Sequence, residues 1–149
     1  MGDGFVNKKI QLSLIYLVTV VISNIVALCF FPKYPEISSL GFVMLFNIIL
    51  FLIIIKCFNI PKHLILKLII LIEILFIPLI IDSNYFISSY IQSTPTTFFP
   101  ESILALLATV LYPHTNIFYI LFKLNISEIS FIIIPCYFLC IYAIIKRIL

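Results

Sequence analysis

Four long runs of apolar residues, separated by short polar connectors, dominate this chain of 149 residues. The runs cover about 10–31, 40–55, 64–81 and 129–145. A helix needs ~20 predominantly apolar residues to cross the ~30 Å hydrocarbon core of a bilayer. The pattern therefore predicts an all-α, polytopic membrane helical bundle that forms a single integral membrane domain over residues 1–149.

A fifth apolar region, residues 100–124, is interrupted by Pro113-His114-Thr115-Asn116. Pro113 removes a backbone donor, and irregular backbone at membrane depth is tolerated only where protein covers it. This break favours a re-entrant or interfacial pair of half-helices, which gives four transmembrane helices plus a broken segment. The alternative is a Pro-kinked helix in this region and five transmembrane helices in all.

The distribution of basic residues also favours four spans. With four spans both termini lie on the cytoplasmic side, and the count is seven basic residues inside against two outside. With five spans the count is six against three, which satisfies the positive-inside rule less well. The seven inner residues are Lys8, Lys9, Lys56, Lys62, Lys67, Lys146 and Arg147.

Composition identifies the solvent as the lipid bilayer. The chain is 64% hydrophobic and only 10% charged, whereas about a quarter of the residues in a soluble domain are charged. The net charge of +3 comes from residues scattered at the ends of the apolar runs, so we expect no nucleic-acid partner. Isoleucine occupies 33 positions, which indicates an AT-rich gene of a low-GC bacterium, a mobile element or an organelle. We expect a bacterial cell (inner) membrane.

Glu73, near the centre of the third run, is the polar residue that most needs an explanation. A carboxyl group in the hydrocarbon core is expensive unless it is neutral, paired or hydrated. It is either a proton or cation site, or a structural acid bonded to another helix. From depth alone we hypothesise that Glu73, Asn24 and Asn47 form a small polar core.

The first run carries a polar arc about 140° wide at helical spacing. In lipid, polar side chains turn inward and bond to neighbouring helices, so we expect this arc to face the bundle. Its members are Ser13, Tyr16, Thr19, Ser23 and Asn24.

The broken segment supplies two further candidates. His114 is either a proton relay or ligand at the tip of a re-entrant loop, or a side chain that satisfies backbone groups freed by the break. Small residues at helical spacing form a helix-packing face that could dock on the protein's own bundle or on a partner. The members of this face are Ser102, Ala105, Ala108 and Thr109.

No catalytic motif and no metal-ligand spacing is present, since one membrane acid and two histidines give no nucleophile–base pair and no zinc site. We therefore expect a protein that is not an enzyme and has no cofactor and no metal. The favoured function is a non-enzymatic accessory, regulatory or immunity-type protein that acts through intramembrane helix contacts. The alternative is a small oligomeric transporter or channel that uses Glu73 and the Pro113-His114 break. Under either function, the expected partners of the protein are the lipid bilayer and either a membrane protein or further copies of itself.

Overall fold

The computed structural model describes residues 3–30, 36–86 and 97–148, with side chains from residue 7 onward. Within these ranges the chain is helical and contains no β-strand. The helices are α1 (Asp3–Phe30), α2 (Ile37–Cys57), α3 (Lys62–Ile81), α4 (Glu101–Val110), α5 (Asn116–Lys123) and α6 (Ser130–Ile148), and a 3-10 turn (Ser127–Ile129) precedes α6.

Helices α1, α2, α3 and α6 are long and apolar enough to cross a membrane. The predicted all-α membrane bundle with four such helices is therefore confirmed. Helix α1 begins seven residues before its predicted run, and every other observed helix end lies within three residues of the predicted one. Phe31 is the last residue of the first predicted run, and Lys33 is one of the two basic residues that the four-span topology places outside. Both lie outside the described residues.

Each long helix buries one stripe and leaves the opposite face to the surroundings. On α1 the buried residues follow the i, i+3, i+4, i+7 spacing of one helix face. The unburied faces carry large aliphatic side chains, as expected where lipid is the solvent. The buried stripe of α1 consists of Leu12, Ile15, Tyr16, Thr19, Val20 and Ser23.

Two of the helices end in the same backbone motif, which depends on asparagine. Asn59 and Asn125 have positive φ values of 47° and 56°, a left-handed conformation that asparagine tolerates better than most residues. After α2, the amide of Ile60 donates to the carbonyl of Ile55, and the amide of Asn59 donates to that of Lys56. The equivalent pair of bonds follows α5, so both helix ends are closed by Schellman motifs.

The predicted broken segment consists of two short helices, α4 and α5, joined by residues 111–115. Helix α4 packs on α3, and α5 packs on α2 and α6. All six residues from Pro113 to Phe118 are buried. The break therefore lies inside the bundle, where protein covers its irregular backbone.

Aromatic rings hold α5 in this position. The ring of Phe118 stacks on Phe86 with 4.5 Å between centroids and on Phe76 with 5.9 Å. Phe76 also meets Phe138 of α6 edge-on at 4.9 Å. This cluster joins α3, α5 and α6 into one core.

A buried carboxylate fixes the start of the broken segment. Asp82 follows α3 directly, and its side chain is 6% exposed. The backbone N–H groups of Phe98 and Phe99 donate to its Oδ1 and Oδ2 at 2.8 and 2.7 Å. The chain therefore enters α4 at a point anchored to the end of α3.

We expect Phe118→Ala to lower the free energy of unfolding by about 3–5 kcal/mol, because it removes a ring from a close-packed aromatic cluster. Unfolding in mixed detergent micelles measures the change. Phe131→Ala is the matched control, since that ring is 61% exposed and its loss should change stability by less than about 0.5 kcal/mol. Equal effects of the two substitutions would contradict the role given to Phe118.

We expect Asp82→Ala to speed hydrogen exchange at the amides of Phe98 and Phe99 by about tenfold or more. The reason is that hydrogen bonds to a charged acceptor contribute roughly 1.5–3 kcal/mol each. Exchange measured by mass spectrometry on the full-length protein tests this. Glu101→Gln, at the exposed first residue of α4, should leave both amides protected.

Candidate functional site

Polar side chains converge where α4 ends and α5 begins, a region that we call the break site (Tyr16, Val110, His114, Asn116 and Tyr137). His114 is 6% exposed, and its Nδ1 lies 2.8 Å from the hydroxyl of Tyr137 on α6. A buried imidazole without a counter-charge is most stable in its neutral form. One nitrogen of the neutral ring accepts a hydrogen bond, so the pair is satisfied when the phenol donates to Nδ1.

A second tyrosine satisfies the end of α4. The hydroxyl of Tyr16 on α1 donates to the carbonyl of Val110, the last residue of α4, at 3.1 Å. The last carbonyls of a helix have no partner within the helix, and in the membrane interior water does not replace it. Tyr16 therefore supplies from another helix the donor that α4 lacks.

Asn116 is the least satisfied polar group of the break site. It is 4% exposed. Its Nδ2 has no hydrogen bond of good geometry within the described ranges, although the side chain interacts with Tyr112 one turn earlier. The peptide bond between Tyr112 and Pro113 is cis.

A small central cavity adjoins the break site. Its volume is about 30 Å³, enough for a water molecule but not for a larger solute. Tyr16, Asn47 and His114 contribute the polar groups of its lining, and the other lining residues are apolar.

The polar arc of α1 faces inward over most of its length. Tyr16, Thr19 and Ser23 are buried, Asn24 is half-buried and Ser13 is exposed. The two buried hydroxyl groups of Thr19 and Ser23 donate to backbone carbonyls of their own helix at 2.7 and 2.8 Å.

Asn24 and Asn47 form separate hydrogen bonds and do not share the small polar core that the sequence suggested. Nδ2 of Asn47 on α2 donates to the Ser23 hydroxyl at 3.0 Å, which joins α2 to α1. Nδ2 of Asn24 donates to the carbonyl of Val20 on its own helix at 3.0 Å. The α1–α2 contact therefore rests on a serine–asparagine pair, and Glu73 takes no part in it.

Glu73 lies on another side of the bundle. It is half-buried and lines a groove of about 330 Å³ between α3 and α6, which we call the lateral groove (Glu73, Ile74, Phe76, Ile77, Ile80, Ile134 and Pro135). Ile74 and Ile77 are 55% and 50% exposed, so the groove opens on the outer surface of the bundle. The hypothesis of one polar core around Asn24, Asn47 and Glu73 therefore requires correction, because Glu73 and Asn47 line different cavities.

The predicted helix-packing face of α4 points mainly outward. Ser102, Ala105 and Thr109 are exposed and Ala108 is half-buried, whereas Leu104 is the fully buried residue of this helix. The hydroxyl of Thr109 donates to the carbonyl of Ala105 at 2.8 Å. Three of the four small residues thus lie exposed on the surface of α4.

No protein-family model matches this chain, and no curated protein and no solved structure is significantly similar to it. The geometry of its own residues therefore carries the functional argument.

The described residues form no candidate metal site. Across residues 7–30, 36–86 and 97–148, no group of three or more His, Cys, Asp or Glu side chains is arranged to hold a metal ion.

Sequence reasoning missed three residues that the structure makes important: Asp82, Tyr16 as a donor to α4, and Tyr137. In the sequence, Asp82 marks only the end of the third helix. A buried histidine needs a hydrogen-bond partner, which is a signal for some donor near His114, but nothing in the spacing selects Tyr137.

We expect Tyr137→Phe to lower the free energy of unfolding by about 1–3 kcal/mol, because it leaves the buried His114 nitrogen without a donor. Detergent unfolding measures the change. Tyr142→Phe on the same helix is the matched control and should cost less than about 0.5 kcal/mol, since that side chain is only half-buried. If the two variants lose equal stability, the hydrogen bond to His114 is not the cause.

Proposed function

We propose that this chain is a non-enzymatic membrane protein of the accessory, regulatory or immunity type, and that it acts by lateral contact between its helices and those of another membrane protein. Four helices of sufficient length and hydropathy are consistent with a small multi-pass membrane protein. The excess of seven basic residues against two supports an orientation with both termini in the cytoplasm. The isoleucine-rich composition supports a bacterial cell membrane.

The observation that carries the proposal is the position of Glu73. Its side chain lines a groove that opens on the outer surface between α3 and α6, in the middle of a helix long enough to span the bilayer. A carboxyl group facing lipid is unfavourable, and a polar partner on another protein removes this penalty. A surface with such a group is therefore better suited to a second protein than to lipid alone.

The interior of the bundle supports the same proposal. Its polar groups are largely occupied with one another, as in the pairs His114–Tyr137 and Asn47–Ser23. The central cavity holds about 30 Å³, and its lining is mostly apolar. These features are those of a packed core.

The alternative, a small oligomeric transporter or channel, would bring Glu73 and His114 to one path. The two residues line separate cavities, one at the surface and one at the centre. Transport would therefore require an oligomer or a rearrangement that joins them, which makes helix contact the simpler function.

Purification of the full-length protein from its native membrane in a mild detergent tests the proposal. We expect a second membrane protein to co-purify in a fixed ratio. Ile77→Trp, which fills the mouth of the lateral groove, should reduce its recovery, whereas Ile49→Trp on the exposed face of α2 should not. Recovery of the protein alone or as a homo-oligomer, with ion flux into liposomes that Glu73→Gln abolishes, would instead establish transport.

A further inference from the structure

We propose that the lateral groove binds a transmembrane helix of a different protein, and that this helix carries an arginine or lysine at the depth of Glu73. The inference rests on the proposed function and specifies the chemistry of the partner. It follows from the kind of polar groups that the groove offers and from where the basic residues of this chain lie.

The first step concerns Glu73 itself. Within the described ranges, its carboxyl group has no hydrogen bond and no ion pair, although it is half-buried in the middle of α3. Elsewhere in the bundle, buried charged and titratable side chains such as Asp82 and His114 have hydrogen-bond partners. Glu73 is thus an acceptor that the described residues leave open.

The second step concerns two prolines on the helices that form the groove. Pro78 lies within α3 and Pro135 within α6. Proline has no N–H, so the carbonyls one turn earlier, those of Ile74 and Phe131, lose their helical donor. Ile74 and Pro135 both line the groove.

The groove therefore offers acceptors: the carboxyl group of Glu73 and the backbone carbonyl of Ile74, while the carbonyl of Phe131 lies one turn before the lining residue Pro135. An occupant that satisfies them must supply several N–H donors. Arginine has five donors and lysine three, and neither has an acceptor. A positive charge also complements the carboxylate, and a guanidinium group can bind it in a bidentate manner.

The groove has room for such a side chain. Its volume of about 330 Å³ is some ten times the ~30 Å³ share of a water molecule. The surrounding wall is apolar, with Ile74, Ile77 and Ile134 around the acid. An aliphatic stem can therefore lie against isoleucine while its charged end reaches Glu73.

A second copy of this chain does not supply the cation. In the sequence its basic residues lie towards the ends of the apolar runs, and the one on the same helix nearest to Glu73 is Lys67, six residues before it. In a parallel dimer, six helical residues separate these two groups by about 9 Å along the axis. The charge bias favours one orientation in the membrane, so an antiparallel dimer is not expected. The partner is therefore a different protein.

Synthetic helices test this chemistry even before the natural partner is identified. The full-length protein, labelled with a donor dye, is reconstituted in phosphatidylcholine vesicles with dye-labelled leucine peptides of about 20 residues. The peptides differ only at their centre, which is arginine, leucine or glutamic acid. We expect the arginine peptide to bind about tenfold more tightly than the leucine peptide, the ratio that one interhelical hydrogen bond gives. The glutamic acid peptide should show no gain.

Variants of the protein test whether the preference for the arginine peptide depends on Glu73 and the lateral groove. Glu73→Gln should remove most of the preference for arginine, and Glu101→Gln, an acid at the exposed start of α4, should leave it unchanged. Ile77→Trp should weaken binding of the arginine peptide by closing the groove, while Ile49→Trp should not. Detergent unfolding of each variant confirms that it is folded before binding is compared.

Equal binding of the arginine and leucine peptides, or a preference that survives Glu73→Gln, would overturn the inference. So would a natural partner without a basic residue in the middle of its contacting helix, or self-association through the groove. The proposed function has a separate test, because a partner can co-purify through another face when the peptides show no preference. Purification without any partner counts against the proposed function, whatever the peptides do.

Discussion

The structure depends on one constraint, which is that backbone N–H and C=O groups within a bilayer must find partners inside the protein. The four long helices meet it internally except one turn before Pro78 and Pro135, whereas the break between α4 and α5 depends on neighbouring helices. There the hydroxyl of Tyr16 donates to the carbonyl of Val110, and residues 113–118 lie buried within the bundle. At the start of α4, the carboxylate of Asp82 accepts two backbone amides. A broken segment is possible in this fold because the neighbouring helices supply what it lacks.

The same constraint explains why the polar side chains of the interior contribute little to a functional site. The hydroxyl groups of Thr19 and Ser23 donate to carbonyls of α1, and Asn24 does so through Nδ2. Asn47 and His114 pair with side chains of other helices. Such bonds stabilise helix contacts in lipid by modest amounts. Function is therefore better sought on the outer surface of the bundle than at its centre.

The sequence was sufficient to predict the helices and the break, but not how the helices are rotated about their axes. Run length and Pro113 are local signals, and they gave four long helices and a broken segment as observed. The grouping of Asn24, Asn47 and Glu73 used depth alone. Depth does not determine which side of a helix faces the core, and Glu73 lies about 100° from Ile72, which lines the central cavity. The partners of Asp82 and His114 depend on how distant segments pack, which the linear pattern does not encode.

The lateral groove at the surface differs from the break site at the centre in how its polar groups are satisfied. At the break site, a helix end without partners receives a donor from Tyr16, so the chain can supply donors where its own packing requires them. At the groove, the described residues give Glu73 no hydrogen bond and no ion pair, and Pro78 removes the helical donor of the Ile74 carbonyl. An acid without a partner in lipid is costly, whereas the isoleucine-rich faces elsewhere on the bundle carry no such cost. Under the proposal above, donors from a partner helix complete the groove, and the complex, rather than the isolated bundle, is the state in which Glu73 is satisfied.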